Sequence, residues 1–265
     1  MRNKLVIRFI LCHFLSDIFF VGSSPYERKL IKDLLKDYEP YERPSYNVSN
    51  PVEVKHQITI QKLNMDVYNE MLIGHIWQNF EWIDYNLKWN ESDYGGITDI
   101  RLPSNRIWIP DIIPFNTYEY DGVDPHKQIT DIVVYSSGSC TWIPPMVLKT
   151  TCKVFTPTTT MQACDIKFGS WTYDGFKINL VMRDSSGPDI SSYVINKEWD
   201  LISATGERNK VFYPCCEEPY LDITYTVTLG KRGYYSSSCG NSIHVFLLLI
   251  PALTELLRSG SIVYL

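Results

Sequence analysis

An all-β fold is the class this sequence predicts: an immunoglobulin-like sandwich of about ten strands with one α-helix at its N-terminus. Three observations carry it. Ile223, Tyr225, Val227 and Leu229 alternate with Thr224, Thr226 and Thr228, and Phe176, Ile178, Leu180 and Met182 alternate with mostly polar neighbours. A period of two makes strands with one buried face. Short runs of this kind recur between Gly and Pro residues, the punctuation of antiparallel sheets. The period of a helix stands out near the N-terminus alone.

Taken in order, the first 24 residues read as a cleaved secretory signal. Arg2 and Lys4 make the basic start, and Leu5 to Val21 is mostly apolar despite Arg8, His13 and Asp17. Gly22-Ser23-Ser24 then offers small residues for cleavage. Residues 25–38 follow as an amphipathic helix, with Leu30, Ile31, Leu34, Leu35 and Tyr38 on one stripe. Pro40 and Pro44 end it. Strand alternation takes over from there. It includes Ile83, Tyr85, Leu87 and Trp89, which interleave with Asp84, Asn86 and Lys88. After Tyr235 come a serine run, Cys239 and an apolar run from Val245 to Leu253, with Glu255 and Arg258 soon behind. A spanning helix needs roughly 20 apolar residues. No complete transmembrane helix is therefore encoded in residues 236–265 as written.

The 265 residues, 45% of them hydrophobic, suffice for one large β domain with a full core. A net charge of −5 argues against nucleic acid and for cationic partners. Secretion gives the cysteines meaning. Cys12 leaves with the signal. Cys152 with Cys164 and Cys215 with Cys216 are the natural pairs, and Cys140 and Cys239 are left free. The sequons Asn47-Val48-Ser49 and Asn90-Glu91-Ser92 mark Asn47 and Asn90 as glycosylation acceptors, in keeping with an extracellular address.

Packing alone does not explain residues 211–220, where Cys215 and Cys216 sit between Tyr213 and Tyr220. The Cα atoms of neighbours lie about 3.8 Å apart, below the usual disulfide range. A bridge here stiffens a hairpin tip rather than stapling a core. The tyrosines then hang from a hard, exposed loop suited to closing over a cation. A metal site at Cys215-Cys216 is the other reading, but the five histidines are scattered without zinc-like spacing.

Trp108-Ile109-Pro110-Asp111, then Ser170-Trp171-Thr172-Tyr173-Asp174-Gly175 after Cys164, then Tyr213, Cys215-Cys216 and Tyr220 follow one another along the chain. Together, from about residue 25 to Tyr235, they resemble the extracellular ligand-binding domain of alpha-type nicotinic acetylcholine receptor subunits, in the Cys-loop pentameric ligand-gated ion channel family. That resemblance implies an aromatic cage for acetylcholine where two subunits of a pentamer meet. The principal face would be Phe115, Trp171, Tyr213 and Tyr220, backed by Cys215 and Cys216. The complementary face would be Trp77, with Val133, Thr141 and Ile143 as its variable wall. The chemistry is sound unaided. A quaternary ammonium donates no ordinary N–H hydrogen bond, so ring quadrupoles are its best partners, at about 0.5–2 kcal/mol each. Trp82, Trp89 and Trp108 are expected in the core, Glu198-Trp199-Asp200 in a solvated turn, and Asp189 is uncommitted.

The sequence departs from the family in three places. Phe115 stands where alpha subunits usually carry Tyr, and a hydroxyl hydrogen bond goes with it. Cys152 and Cys164 enclose eleven residues, fewer than the family does, and Phe155-Thr156-Pro157-Thr158-Thr159-Thr160 replaces the family's Phe-Pro-Phe/Tyr-Asp core. The membrane helices expected after Tyr235 do not follow, which favours a partial or shifted gene model over a natural short product. Membrane association then depends on helices in a fuller protein.

The leading expectation is a receptor subunit that binds acetylcholine. A soluble acetylcholine-binding protein and a decoy subunit without channel activity stand behind it. No Gly-x-Ser-x-Gly elbow, His-Glu-x-x-His, phosphate loop or recognisable carboxylate pair occurs, so neither an enzyme nor a cofactor or metal is expected.

Overall fold

The computed structural model describes residues 25–118, 130–154 and 161–232, without the side chains of residues 153 and 154. The expected leader with Cys12, residues 155–160, Cys239 and the tail from residue 236 lie outside the described residues.

Helix α1 spans Pro25–Leu35. Eleven strands follow: β1 Val52–Asp66, β2 Met71–Ile83, β3 Asp99–Pro103, β4 Ile112–Pro114, β5 Asp131–Tyr135, β6 Ser139–Trp142, β7 Pro145–Val154, β8 Met161–Ser170, β9 Ile178–Met182, β10 Trp199–Phe212 and β11 Pro219–Lys231. They form two sheets of a sandwich. One holds β9, β1, β2, β6, β5 and β3; the other holds β10, β11, β8 and β4. β7 joins them, pairing with β2 from Pro145 to Thr151 and with β8 from Cys152 to Val154. Pairing is antiparallel apart from β1 with β9.

The alternation read from the sequence is the alternation of burial. Leu72, Ile76, Phe80 and Trp82 of β2 face the core, as do Ile223, Tyr225, Val227 and Leu229 of β11. The residues between them take the other face, as the pleat requires, and are exposed or half-buried apart from Asn79, which donates to Thr59 Oγ1 of β1. Trp82 and Trp108 are buried and meet edge to face at 5.9 Å, and Trp89 is half-buried with its Nε1 donating to Ile97 O. Cys140 is free and buried, and burial pushes its thiol pKa up, which leaves it unreactive.

Four expectations need correction. The helix stops at Leu35, before residue 38, because Tyr38 is used elsewhere: its hydroxyl donates to Asp84 Oδ2 (2.6 Å) and accepts from Trp108 N (3.0 Å). The run Ile83–Trp89 is no strand. β2 ends at Ile83, and Asp84 caps a 3₁₀ turn over Tyr85–Leu87 by accepting the Asn86 N–H. A short acidic side chain has outcompeted the ladder for the backbone. Phe176 is exposed, and β9 starts two residues later at Ile178. Glu198-Trp199-Asp200 is no solvated turn, since Trp199 is 4% exposed, opens β10 and pairs with Lys231. Asp189, left uncommitted, bridges β1: its backbone bonds Ile58 and Ile60, and Thr59 donates to its carboxylate.

Candidate functional site

Phe115 and Trp171 reach the surface side by side because β4 and β8 are hydrogen-bonded neighbours. The pairing is antiparallel, Ile112 with Ser170 and Pro114 with Phe168, so Phe115 leaves β4 opposite Lys167 and Trp171 leaves β8 opposite Asp111, and the Phe115 ring reaches back over Gly169 towards the indole. Phe115 N donates to Lys167 O at 2.7 Å. Its ring lies against Gly169, where an added Cβ would fall 2.5 Å from Phe115 Cζ. No larger residue leaves room for the ring in this position. Phe115 and Trp171 meet edge to face with centroids 6.2 Å apart.

Asp111 holds the turn that carries Trp171. Its carboxylate accepts from Ser170 Oγ (2.6 Å), Thr172 N (2.8 Å) and Thr172 Oγ1 (2.6 Å), while its carbonyl accepts from Trp171 N (3.2 Å). Charged acceptors make the stronger hydrogen bonds, so this turn is fixed while its indole stands in solvent, 64% exposed. Three residues before Asp111, Trp108 N donates to the Tyr38 hydroxyl, which in turn donates to Asp84.

The second pair of rings comes from the β10–β11 hairpin. Val211 pairs with Tyr220 and Phe212 with Pro219, leaving residues 213–218 as the tip. Cys215 and Cys216 are bridged there with Cα atoms 3.8 Å apart, and Cys216 N donates to Tyr213 O. The bridge ties the tip to itself and leaves the core alone. Tyr213 and Tyr220 pack edge to face at 5.4 Å.

These four rings line one open cavity of about 230 Å³, together with Ser170, Tyr173, Leu221 and Asp222. Asp222 is 3% exposed, ion-paired to Lys167 Nζ at 2.9 Å, and accepts from Asn209 and Thr224. The wall is thus aromatic with one compensated carboxylate. It has faces for a cation and few groups that would demand a hydrogen bond from it.

The family model described as the neurotransmitter-gated ion-channel ligand binding domain matches residues 27–233. This chain belongs to that family. Among relatives of the ligand-binding domain, the acetylcholine receptor subunit alpha-type acr-16 of Caenorhabditis briggsae is 40% identical over 79% of this chain and 42% of its own length. The human neuronal acetylcholine receptor subunit alpha-2 is 35% identical over 89% of this chain and 50% of its own. The alpha-9-I subunit of Oncorhynchus mykiss is 33% identical over 95% of this chain and 42% of its own. The chain spans at most about half the length of these relatives. They are receptor subunits, and the family is not one of enzymes.

The other predicted set lies elsewhere on the ligand-binding domain. Trp77 is 44% exposed on the outward face of β2. Thr141 pairs with Glu81 of the same face, Val133 pairs with Thr141, and Ile143 follows just beyond β6. Trp77, Thr141 and Val133 therefore share one side of the sheet, where strand parity puts them. None of the four lines the cavity of Phe115, Trp171, Tyr213 and Tyr220. Within one chain the two sets do not meet.

The loop disulfide Cys152–Cys164 is formed, at 2.05 Å, between directly paired residues of β7 and β8. Asn47 and Asn90 are exposed. Sequence reasoning missed Tyr173, Asp222 and Asp111 as parts of the site. Asp222 had a signal: a carboxylate beside the start of the β11 alternation, two residues after Tyr220, needs a partner. Asp111 ended a quoted motif, but its partners lie some 60 residues away and no local pattern points to them.

Proposed function

We propose that the chain is the acetylcholine-binding extracellular domain of a ligand-gated ion channel subunit, acting at the outer face of a synaptic plasma membrane. A quaternary ammonium sits against Phe115, Trp171, Tyr213 and Tyr220 of one subunit. A neighbouring subunit of the pentamer supplies Trp77, with Val133, Thr141 and Ile143, to close the open side. The observation that carries this reading is the convergence of four rings, from three separate stretches of chain, on one cavity. Rings around a methylated cation replace water without asking for hydrogen bonds, and each contributes about 0.5–2 kcal/mol. The names of the relatives point the same way.

Displacement of a labelled choline-type ligand from the secreted chain tests it. Trp171→Ala should weaken binding about 10- to 30-fold, the loss expected for one well-placed ring. Unchanged affinity, or no displacement of the ligand from the wild-type chain by acetylcholine, would overturn the proposal.

A second reading, binding without gating, rests on the altered loop between Cys152 and Cys164. On that reading the chain is a soluble binding protein or a decoy subunit. Co-expression with a functional receptor separates the two, since a decoy lowers the current.

A further inference from the structure

Away from the aromatic cavity, a second hollow of about 310 Å³ lies beneath the segment that enters β1. Its volume is in the range of small-ligand sites. Its wall is of mixed character. Tyr46 and Tyr85 pack at 5.6 Å with Tyr46 82% exposed, and Asn50, Glu53 and Glu81 supply polar groups. Trp82 also lines it. Trp82 is 2% exposed, and its indole Nε1 donates to no acceptor among the described residues. That nitrogen has essentially no accessible surface, so it lies behind the wall of the hollow and not in it. Aromatic faces, carboxylates, an amide and the Lys55 ammonium, which pairs with Glu81 at 3.5 Å, together suit a polyhydroxyl compound, whose C–H faces lie on rings and whose hydroxyls both accept and donate.

The chain carries a source for one at the rim. Tyr46 and Asn50 both line the hollow, and the sequon Asn47-Val48-Ser49 lies between them. A tight turn presents it, with Asn50 N donating to Asn47 O at 2.8 Å and Ser49 N donating to Asn47 Oδ1 at 3.1 Å. Asn47 itself is exposed, and its Nδ2 makes no hydrogen bond among the described residues. Asn90, the other sequon asparagine, is exposed as well, but it lines neither this hollow nor the aromatic cavity.

We propose that the hollow beneath Tyr46 is the seat of the first sugars of an N-glycan carried on Asn47. The sugar arrives from a lipid-linked oligosaccharide pyrophosphate. A bond forms between Asn47 Nδ2 and the sugar C1, the bond from C1 to the pyrophosphate oxygen breaks, the nitrogen loses one proton and the lipid pyrophosphate leaves. The attached sugar then lies on the rings of Tyr46 and Tyr85 and covers the mouth of the hollow. The glycan serves as a structural plug that ties the segment before β1 to the end of β2.

The full chain, secreted from a eukaryotic host and treated in its native state with an amidase that cleaves glycans at asparagine, provides the test. Peptide mass spectrometry follows the conversion to Asp separately at Asn47 and Asn90. A seated sugar predicts release at Asn47 at least tenfold slower than at Asn90, and the double variant Tyr46→Ser, Tyr85→Ser should abolish the difference. Hydrogen exchange over residues 44–51 should rise in Ser49→Ala, which removes the sequon and leaves the hollow intact. An unmodified Asn47, equal release at both asparagines, or slow release that survives the double variant would each overturn the proposal.

Discussion

The ring of Phe115 packs so tightly on Gly169 that its position leaves little freedom. What it lacks is a polar end. Phe115→Tyr keeps the ring and adds a hydroxyl at the cavity wall. One further hydrogen bond is worth about 1 kcal/mol, so acetylcholine should bind about fivefold more tightly in the displacement assay. An unchanged affinity would remove Phe115 from the cage. Nothing local in the sequence distinguishes Phe115 from a core phenylalanine; the resemblance alone singled it out. Trp171 differs, because its Ser-Trp-Thr-Tyr setting carries the hydroxyls that Asp111 binds.

The elements that matter are turns held by side chains. Asp111 gathers three hydrogen bonds at its carboxylate and so fixes the β8–β9 turn from the β3–β4 side. Asp111→Ala leaves those donors to water at an exposed turn. Global stability should change little while Trp171 loses its aim, and agonist affinity should fall about tenfold, the equivalent of one charged hydrogen bond. Asp111→Asn, which still accepts, should lose less. A large drop in Tm with affinity intact would contradict this role. The same scale shows where the sequence misleads. Ile83, Tyr85, Leu87 and Trp89 alternate as a strand does, yet Asp84 turns the chain there because its carboxylate reaches both Asn86 N and the Tyr38 hydroxyl. The Tyr38 contact spans 46 residues. Periodicity reports which residues want burial, and here a long-range hydrogen bond decides the backbone.

At the scale of the whole molecule, the sandwich was legible because its core is periodic. Ile223 to Leu229 read as a one-sided strand and form one. The joining of the two sheets by β7 was not legible, since it depends on which strands pair. Nor was the state of His56. It lies fully buried against Phe80 (4.9 Å) and Phe168 (4.8 Å), with Tyr225 at 5.8 Å. Burial lowers its pKa to about 3. The unfolded chain takes up this proton near pH 6.5 and the folded chain does not, so stability falls as pH drops from about 6.5 towards 3. Asp66, Asp99, Asp184 and Asp189, held below the usual carboxylate range by hydrogen bonds, add to the acid loss. His56→Phe removes the imidazole contribution alone. The stability difference between pH 7 and pH 4, read from denaturant unfolding, should therefore shrink in the variant. An unchanged difference would show that His56 titrates freely.

The four rings of the cavity and the Trp77 set lie apart within one chain, and on the proposed reading this makes the site a property of two copies. Mixing complementary variants tests it directly. Trp171→Ala and Trp77→Ala chains should each bind a choline-type ligand weakly when expressed alone. Co-expressed at random in a closed ring, about a quarter of the interfaces set an intact Trp171 face against an intact Trp77 face, and that fraction of sites should recover wild-type affinity. If co-expression restores nothing, or if either variant alone keeps full affinity, the ligand is not held between two copies of this chain.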